Sequence, residues 1–306
     1  MKRRDFVKSV ACAGLGVALA GRAQAAGERM YVSLNSTLTP GKISWPEFAR
    51  LAAKTGYGGV DLNLGAAMEE GIEATQKLLS ELKLKPACCA CPVNVGRDET
   101  TFKAGLEKLD DAARFAAAVG CNRMTAILPA GSQTPKDELR KIYKERYTAV
   151  ASVLAKHNVR LGFEFLGPLQ FRTRSPHEFL WRMNEVVDFC KEVGPNTGLL
   201  LDAWHWHHAG ATVQDILNAG KSRIVTVHVA DCAKLAPEDV RDNQRLLPGE
   251  GVIDLVGFFR ALKQIGYVDG VSPEPLGRIP AGTPPEEGAR MGLESTLGVM
   301  KKAGVI

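Results

Sequence analysis

The sequence predicts one α/β domain built as a (β/α)8 barrel, and three observations lead to this prediction. Eight short apolar segments alternate with eight amphipathic segments between residues 26 and 306, without a linker or low-complexity stretch. Near-continuous apolar strands joined by helices are typical of a parallel sheet. No Gly-x-Gly-x-x-Gly motif follows the first strand, which argues against a dinucleotide-binding sheet. Eight such units therefore favour a single closed TIM barrel over an open, doubly wound sheet.

Each predicted strand is a short apolar run, and each is followed by a segment whose apolar residues recur with helical spacing. In chain order, the predicted strands are Met30–Leu34, Gly59–Leu64, Pro86–Pro92, Arg123–Leu128, Arg160–Phe165, Thr197–Asp202, Ile224–Val229 and Gly270–Pro275. The predicted helices are Pro46–Thr55, Ile72–Leu82, Thr101–Val119, Pro135–His157, Pro176–Val193, Val213–Ala219, Leu255–Ile265 and Pro285–Lys302.

Capping signals support the bounds of several helices. The first helix follows Ser44-Trp45-Pro46-Glu47, which combines a capping box with a proline in the first turn. The fifth follows Ser175-Pro176-His177-Glu178 in the same way. A glycine, which readily ends a helix, comes after four of the eight segments, at Gly56, Gly120, Gly194 and Gly266.

Residues 1–25 have the order of segments found in a signal peptide, and we expect them to be cleaved. A basic start, Met1–Lys8, precedes a weakly apolar Ala/Gly-rich stretch, and Ala23-Gln24-Ala25 offers a cleavage pattern. The paired arginines resemble a bacterial twin-arginine (Tat) signal, which the Tat export machinery reads and which does not anchor the protein. The prediction is a periplasmic or otherwise exported barrel over residues 26–306, with no stable membrane insertion after cleavage. A short basic helix packed on the domain is the alternative.

The charge of the chain excludes a nucleic-acid-binding protein. The sequence has 39 Lys and Arg against 34 Asp and Glu, a formal net charge of +5. Because five basic residues and one acidic residue lie in the first 25 positions, the remainder carries about +1 and has no basic footprint. No run of eighteen apolar residues predicts a membrane-spanning helix.

Six cysteines follow the signal segment, and their even number permits disulfides in an oxidising compartment. Three of them, Cys88, Cys89 and Cys91, lie in one predicted strand, where successive side chains point to opposite faces. They therefore cannot converge on one metal ion, and we interpret them as small buried apolar residues.

Four ionisable residues lie at or near the carboxyl ends of the last four predicted strands. They are Glu164, Asp202, His228 and Glu274. The active site of a (β/α)8 barrel collects at this end of its strands. A buried charge without a partner costs several kcal/mol, so four such groups on consecutive strands point to a shared cation. Four independently satisfied polar groups are the alternative interpretation.

The donor types suggest which cation would bind. Three carboxylates and one imidazole suit Mn²⁺, Mg²⁺ or Co²⁺ better than a thiolate-preferring ion, and Zn²⁺ or Fe²⁺ also accept such ligands. We therefore expect one divalent metal ion, with Mn²⁺ as the first expectation.

Three further motifs accompany these four residues. They are Asp202-Ala-Trp-His205, His228-Val-Ala-Asp231 and Arg245-Leu-Leu-Pro-Gly-Glu-Gly251. With the Glu–Asp–His–Glu series, the chain after residue 25 resembles the xylose isomerase-like TIM barrel superfamily, the sugar phosphate isomerase/epimerase family. In the ketose 3-epimerases of that family, the residues matching the series bind one divalent metal ion.

The resemblance implies an enzyme that transfers a proton next to a carbonyl of a keto-sugar or related polyol, through an enediolate. Glu164 and Glu274 would be catalytic, one removing the proton and the other returning it on the opposite face. His205 and Arg245 would contact the carbohydrate substrate, and Asp231 would orient a ligand. Barrels of this superfamily often associate, so a homo-oligomer is compatible with the sequence.

Two positions stay open or depart from the family pattern. Asp61, in GGVDLNL, either faces the pocket or caps the next loop. The ketohexose 3-epimerases have a second Glu six residues after the first metal-binding Glu, whereas this chain has Gln170. Because an amide replaces an acceptor-only carboxylate, a free ketohexose is a weaker substrate hypothesis.

Other functions compete with an isomerase. Proton abstraction next to a keto group also permits β-elimination, so a lyase or dehydratase acting on 3-keto-glycosides or keto-inositols would use the same residues. A non-catalytic exported sugar-binding protein is the third hypothesis, against which the two opposed carboxylates argue. The apurinic endonucleases of the superfamily need histidines on early strands, and this chain has none before His157.

Overall fold

Strands and helices alternate along residues 29–306, which a computed structural model describes. The predicted signal peptide lies outside these residues. The strands are β1 Tyr31–Leu34, β2 Gly59–Val60, β3 Lys85–Pro86, β4 Cys89–Ala90, β5 Arg123–Ile127, β6 Gly131–Ser132, β7 Arg160–Glu164, β8 His177–Glu178, β9 Thr197–Asp202, β10 Ile224–Val229 and β11 Gly270–Pro273. The α-helices are α1 Trp45–Thr55, α2 Leu64–Glu70, α3 Ile72–Leu82, α4 Glu99–Ala118, α5 Lys136–Lys156, α6 Leu169–Arg172, α7 Met183–Val193, α8 Ala203–His208, α9 Val213–Ala219, α10 Leu255–Gln264 and α11 Pro285–Ala303.

Nine of the strands form one parallel sheet that closes into a barrel. Their order is β3-β2-β1-β11-β10-β9-β7-β5-β4, so β3 and β4 lie at its two ends. These two are consecutive pieces of one strand. The N–H of Ala87 donates to the carbonyl of Val60 on β2, and that of Cys91 donates to the carbonyl of Thr125 on β5, at 3.0 and 2.9 Å. This piece of chain joins both ends of the sheet, which confirms the predicted barrel of eight strand positions.

Two early strands are shorter than predicted. The second ends at Val60 because Asn63 begins α2, where its Oδ1 accepts a hydrogen bond from the N–H of Ala66 at 3.2 Å. The third is divided into β3 and β4, since its hydrogen bonds change from one neighbouring strand to the other. By contrast, the bounds of β9 and β10 are those that the sequence predicts.

The helix predicted over residues 176–193 begins only at Met183. The preceding residues contain β8, which pairs with β6 in a separate two-stranded antiparallel sheet. The Trp181 ring then lies between two guanidinium groups, 3.7 Å from that of Arg172 and 4.0 Å from that of Arg182. These long-range contacts hold the segment extended, so the local proline and capping signal is overridden.

The helices cover the outside of the barrel with apolar faces. In α1, Ser44 accepts a hydrogen bond from the N–H of Glu47, and Phe48 and Leu51 are buried against the core. Within residues 29–306, no helix has both the length and the apolar character needed to cross a membrane.

Strand alternation directs the polar residues into the barrel. Phe163, on β7, packs on the outside against Tyr147 of α5 and Phe189 of α7, with ring centroids 4.7 and 5.6 Å apart. Since successive strand residues face opposite sides, the next residue, Glu164, faces the barrel interior.

Close strand packing at Gly198 on β9 gives the first testable expectation. A Cβ atom there would lie 2.5 Å from the carbonyl oxygen of Arg223. We expect Gly198→Ala to lower the free energy of unfolding by about 1–3 kcal/mol, because the backbone of the neighbouring strand must shift. Gly298→Ala is the control, since no atom lies within 4 Å of that Cβ and alanine favours the helix. Equal urea midpoints for Gly198→Ala and the parent chain would contradict this packing.

Candidate active site

Four ionisable side chains converge at the carboxyl ends of neighbouring strands. Glu164 and Asp202 end β7 and β9, His228 is the second-last residue of β10, and Glu274 follows β11. One ligand atom of each lies within 4.8 Å of those of the others. The strand register brings His228 beside Asp202. The structure thus brings together the four residues that the sequence predicts as metal ligands.

Several atoms of this cluster are buried without a hydrogen-bond partner. They are Oε1 of Glu164 and both ring nitrogens of His228. The Nδ1 atom of His228 lies 3.5 Å from Oε2 of Glu274. Buried polar atoms in native proteins normally have a partner, and a cation would satisfy Oε1 of Glu164 together with one of the two ring nitrogens of His228. The donor set, three carboxylates and one imidazole, therefore fits a divalent metal ion.

Arg245 supplies positive charge to two carboxylates of the same cluster. Its guanidinium is 2% exposed and donates through Nη1 to Oδ2 of Asp202 at 2.8 Å and to Oε2 of Glu274 at 3.1 Å. Its Nε donates to Asp242 at 2.8 Å, and its plane lies 4.5 Å from the centroid of Trp204. The guanidinium is thus fixed on every side and neutralises carboxylates that are removed from water.

His205 lies on the short helix α8, which the sequence did not predict. Its side chain is beside that of Arg245. The helix begins where Oδ1 of Asp202 accepts a hydrogen bond from the N–H of Trp204 at 2.8 Å. Nε2 of His205 is 3.2 Å from Nη2 of Arg245. Burial, with a smaller contribution from the neighbouring guanidinium, lowers the pKa of His205 to about 3 against the opposing charge of Asp202, so this imidazole is neutral near pH 7.

The carboxyl groups of the cluster differ in their pKa values. Burial, then the charges of Glu274 and Asp202, raise the pKa of Glu164 to about 8. Burial also acts on Glu274, but the charges of His228 and Arg245 outweigh it and lower the pKa of that carboxyl. Burial opposes the His228 cation, yet Glu274 raises its pKa well above the ordinary value. In the metal-free protein, Glu164 and His228 therefore hold protons that ligation would displace.

Asp231 holds a loop together. Its carboxylate accepts hydrogen bonds from the N–H groups of Cys232, Gly249, Gly251 and Ile253 at 2.9, 3.0, 2.9 and 2.9 Å. Its backbone pairs with Leu246, the residue after Arg245. Among the described residues, its side-chain hydrogen bonds go to this loop backbone, so it orders the loop that carries Arg245.

Asp61 faces the interior, one of the two roles that the sequence left open. A carboxylate oxygen of Asp61, the Cys88 sulfur and a ring nitrogen of His228 lie within 4.8 Å of one another. Burial raises the pKa of the Asp61 carboxyl, and His228 is the strongest opposing influence. Burial also raises the pKa of the Cys88 thiol to about 12, which keeps it protonated. The sequence feature that indicated a role for Asp61 was its position as an acidic residue in an apolar strand.

A cavity of about 510 Å³ opens onto the cluster. Glu164, His228 and Glu274 are among its lining residues, together with aliphatic side chains that include Val93 and Ile127. Neither His205 nor Arg245 is among the lining residues, so their predicted contact with substrate stays a prediction. The described cysteines are all free thiols.

Comparison with known families agrees with the barrel fold. Residues 49–299 match the family model described as xylose isomerase-like TIM barrel. The chain belongs to this family. A xylose isomerase domain protein from Alicyclobacillus acidocaldarius shares the fold with a TM-score of 0.83 and 30% identity, over 90% of this chain and 99% of that chain.

Two further relatives of this xylose isomerase-like barrel are informative. An inosose isomerase from Bacillus velezensis is 26% identical over 180 residues, which make up 58% of this chain and 62% of that protein. The match thus spans less than two thirds of the relative's length. The IOLI protein, whose structure has a bound zinc atom, shares the fold with a TM-score of 0.76 and 22% identity, over 90% of this chain and 99% of that chain.

The pKa values predict how metal binding depends on pH. Because Glu164 loses its proton only near pH 8, we expect divalent-ion affinity to rise by about tenfold per pH unit for each proton released. The stability of the metal-free protein should change in the opposite direction. At pH values above the ordinary Glu pKa, the folded protein binds more protons than the unfolded chain. Its free energy of unfolding therefore falls as the pH rises towards 8. Mn²⁺ titrations at pH 6 and pH 8 check this, and equal dissociation constants would contradict it.

Proposed function

We propose that this chain is a metal-dependent isomerase or epimerase that moves a proton next to the carbonyl of a keto-sugar or cyclic keto-polyol. The observation that carries the proposal is the pair of carboxylates, Glu164 and Glu274, which border one cavity from different strands. Their pKa values are shifted in opposite directions. Two carboxyl groups with separated pKa values are the arrangement that acid and base roles require.

The residues that would hold the ion are Glu164, Asp202, His228 and Glu274. A divalent ion, when bound, supplies Lewis-acid stabilisation of negative charge that develops on the substrate oxygen. Mn²⁺ is our first expectation from the oxygen-rich ligand set, and Mg²⁺, Co²⁺ or Zn²⁺ also suit it. The zinc atom in the IOLI structure supports a divalent ion as such.

The chain's own groups would divide the proton transfers. Glu274, whose pKa is lowered, is ionised near pH 7 and can accept a proton from a carbon next to the carbonyl. Glu164, which borders the same cavity from β7, would return a proton on another face of the carbon. Arg245 and His205 would stabilise oxyanion or hydroxyl groups if the substrate reaches behind the cluster.

The name of the Bacillus velezensis relative supports a cyclic keto-polyol as the substrate class. The test is to incubate the Mn²⁺-loaded chain with inososes and ketohexoses and to identify products by NMR. We expect a stereoisomer or positional isomer of one substrate, and no conversion after chelation of the metal. Unchanged substrates across both classes, with the ion bound, would argue against the proposal.

One observation favours a lyase as the second candidate. Aliphatic side chains line the cavity beside the carboxylates, with Ile127 62% exposed, and none of the described lining residues is Lys or Arg. This surface suits an uncharged leaving group better than a phosphate. Release of the alcohol from a 3-keto-glycoside, detected in the same NMR assay, would identify this chemistry.

Export by the twin-arginine route is part of the proposal, on the strength of the residue pattern over residues 1–25. Cell fractionation of a tagged chain tests it directly. We expect the mature protein in the periplasm and its retention in the cytoplasm after replacement of both Arg3 and Arg4 by Lys.

A further inference from the structure

A second polar group lies beside the carboxylate cluster in the barrel interior. Its centre is Asp61, the residue after β2. The Asp61 carboxylate accepts hydrogen bonds from Oγ of Ser33 at 2.8 Å, Nδ2 of Asn35 at 3.0 Å and Oγ of Ser272 at 2.7 Å. Ser33 and Ser272 are fully buried. Three donors from two other parts of the barrel therefore hold this carboxylate in one orientation.

His228 connects this group to the carboxylate cluster. A ring nitrogen of His228 lies within 4.8 Å of both Asp61 and Cys88, and a ring nitrogen also belongs to the cluster with Glu164. In the sheet, His228 pairs in register with Ser272, one of the donors to Asp61. The strand pairing therefore fixes the imidazole next to the Asp61 carboxylate.

The two nitrogens of this ring have different surroundings. Nδ1 lies 3.5 Å from Oε2 of Glu274, on the side of the cluster. Within residues 29–306, neither ring nitrogen has a hydrogen-bond partner, although His228 is only 7% exposed. A neutral imidazole that binds a metal through one nitrogen keeps a hydrogen on the other, and this hydrogen is usually donated to a carboxylate or carbonyl.

We propose that Asp61 is a positioning residue that accepts the Nε2 hydrogen of His228 while Nδ1 faces the divalent ion. Asp61 fixes the tautomer and the ring orientation of this ligand, and Cys88 packs beside the ring. The inference rests on the metal site of the proposed function. Two observations disfavour a separate metal site at Asp61 and Cys88. Asp61 already accepts three hydrogen bonds. In addition, a neutral imidazole has one ring nitrogen free to bind a metal ion, because the other carries its hydrogen.

The test uses the full chain loaded with Zn²⁺ and labelled with ¹⁵N-histidine. The sequence has six histidines, so long-range ¹H–¹⁵N spectra can resolve each ring. We expect His228 as the Nε2–H tautomer. Asp61→Asn should shift its Nε2 signal and weaken Zn²⁺ binding by about 10- to 100-fold. Ser33→Ala removes one donor to Asp61 without contacting His228, so this control should weaken Zn²⁺ binding much less.

Three results would overturn the inference. They are an Nδ1–H tautomer in the Zn²⁺-loaded parent chain, parent-like spectra and affinity for Asp61→Asn, and a thiolate band with bound Co²⁺ that Cys88→Ser removes. If Asp61→Asn does not fold, the tautomer of the parent chain decides alone. If the parent chain binds no Zn²⁺, the proposed metal site is wrong. The effect of Asp61→Asn on the ring signals of the metal-free protein then tests the Asp61–His228 contact independently.

Discussion

Arg245→Gln is expected to lower the free energy of unfolding of the metal-free protein by about 3–5 kcal/mol, because it leaves buried carboxylates without their cation. Asp202 is fully buried, so water cannot replace the lost charge there, and the side chain of Glu274 is only 19% exposed. A bound divalent ion supplies positive charge to the same two carboxylates. Saturating Mn²⁺ should therefore restore more stability to the variant than it adds to the parent chain.

The control for this substitution is Arg278→Gln. Arg278 also makes two hydrogen bonds to a carboxylate, both at 2.9 Å to Glu250, but each side chain is about one-third exposed. Such pairs contribute at most about 1 kcal/mol. Urea unfolding with and without Mn²⁺ measures both variants. Equal losses for Arg245→Gln and Arg278→Gln would contradict the role of Arg245 as the buried counter-charge.

Glu164→Gln is expected to reduce turnover by about a thousandfold, because it removes both a proton-transfer group and a metal ligand. The fold should not suffer. Glu164 has an unpartnered oxygen, and Glu274 and Asp202 oppose its ionisation, so the neutral amide should leave the free energy of unfolding unchanged or higher. Turnover, urea unfolding and Mn²⁺ affinity are measured on the same preparation.

The exposed carboxylate of Glu250 supplies the matched control for this substitution. Glu250→Gln changes the same chemical group on the loop that follows Arg245, where this carboxylate pairs with Arg278 and accepts a hydrogen bond from the N–H of Leu247. We expect its turnover to equal that of the parent chain. Turnover by Glu164→Gln within a factor of about ten of the parent would show that Glu164 is not a proton-transfer group.

Much of the fold could be predicted because the barrel core imposes its pattern on the sequence. β9 and β10 are buried throughout and have the predicted bounds. The segment over residues 176–182 could not be predicted, because its pairing strand β6 is distant in sequence and the guanidinium of Arg172 lies outside the local pattern. Helix α8 was missed for a similar reason: its six residues depend on a cap from Asp202 inside the site.

The site divides in the same way. An ionisable residue within an apolar strand is visible in sequence, so Glu164 and His228 could be singled out. Their surroundings could not, since Arg245 reaches Asp202 across 43 positions, and the serines that hold Asp61 lie on β1 and β11. Sequence thus indicated which groups need a partner, and the barrel geometry shows which partners they have.

Solvent deuterium exchange tests the central claim most directly. The Mn²⁺-loaded chain and Glu164→Gln are incubated in D₂O with inososes, ketohexoses and 3-keto-glycosides, and the substrates are followed by NMR. We predict that deuterium enters at a carbon next to the carbonyl with the parent chain, and that chelation of Mn²⁺ or the substitution abolishes the exchange. Absence of exchange from every substrate, with Mn²⁺ bound to the parent chain, would contradict proton abstraction at this site.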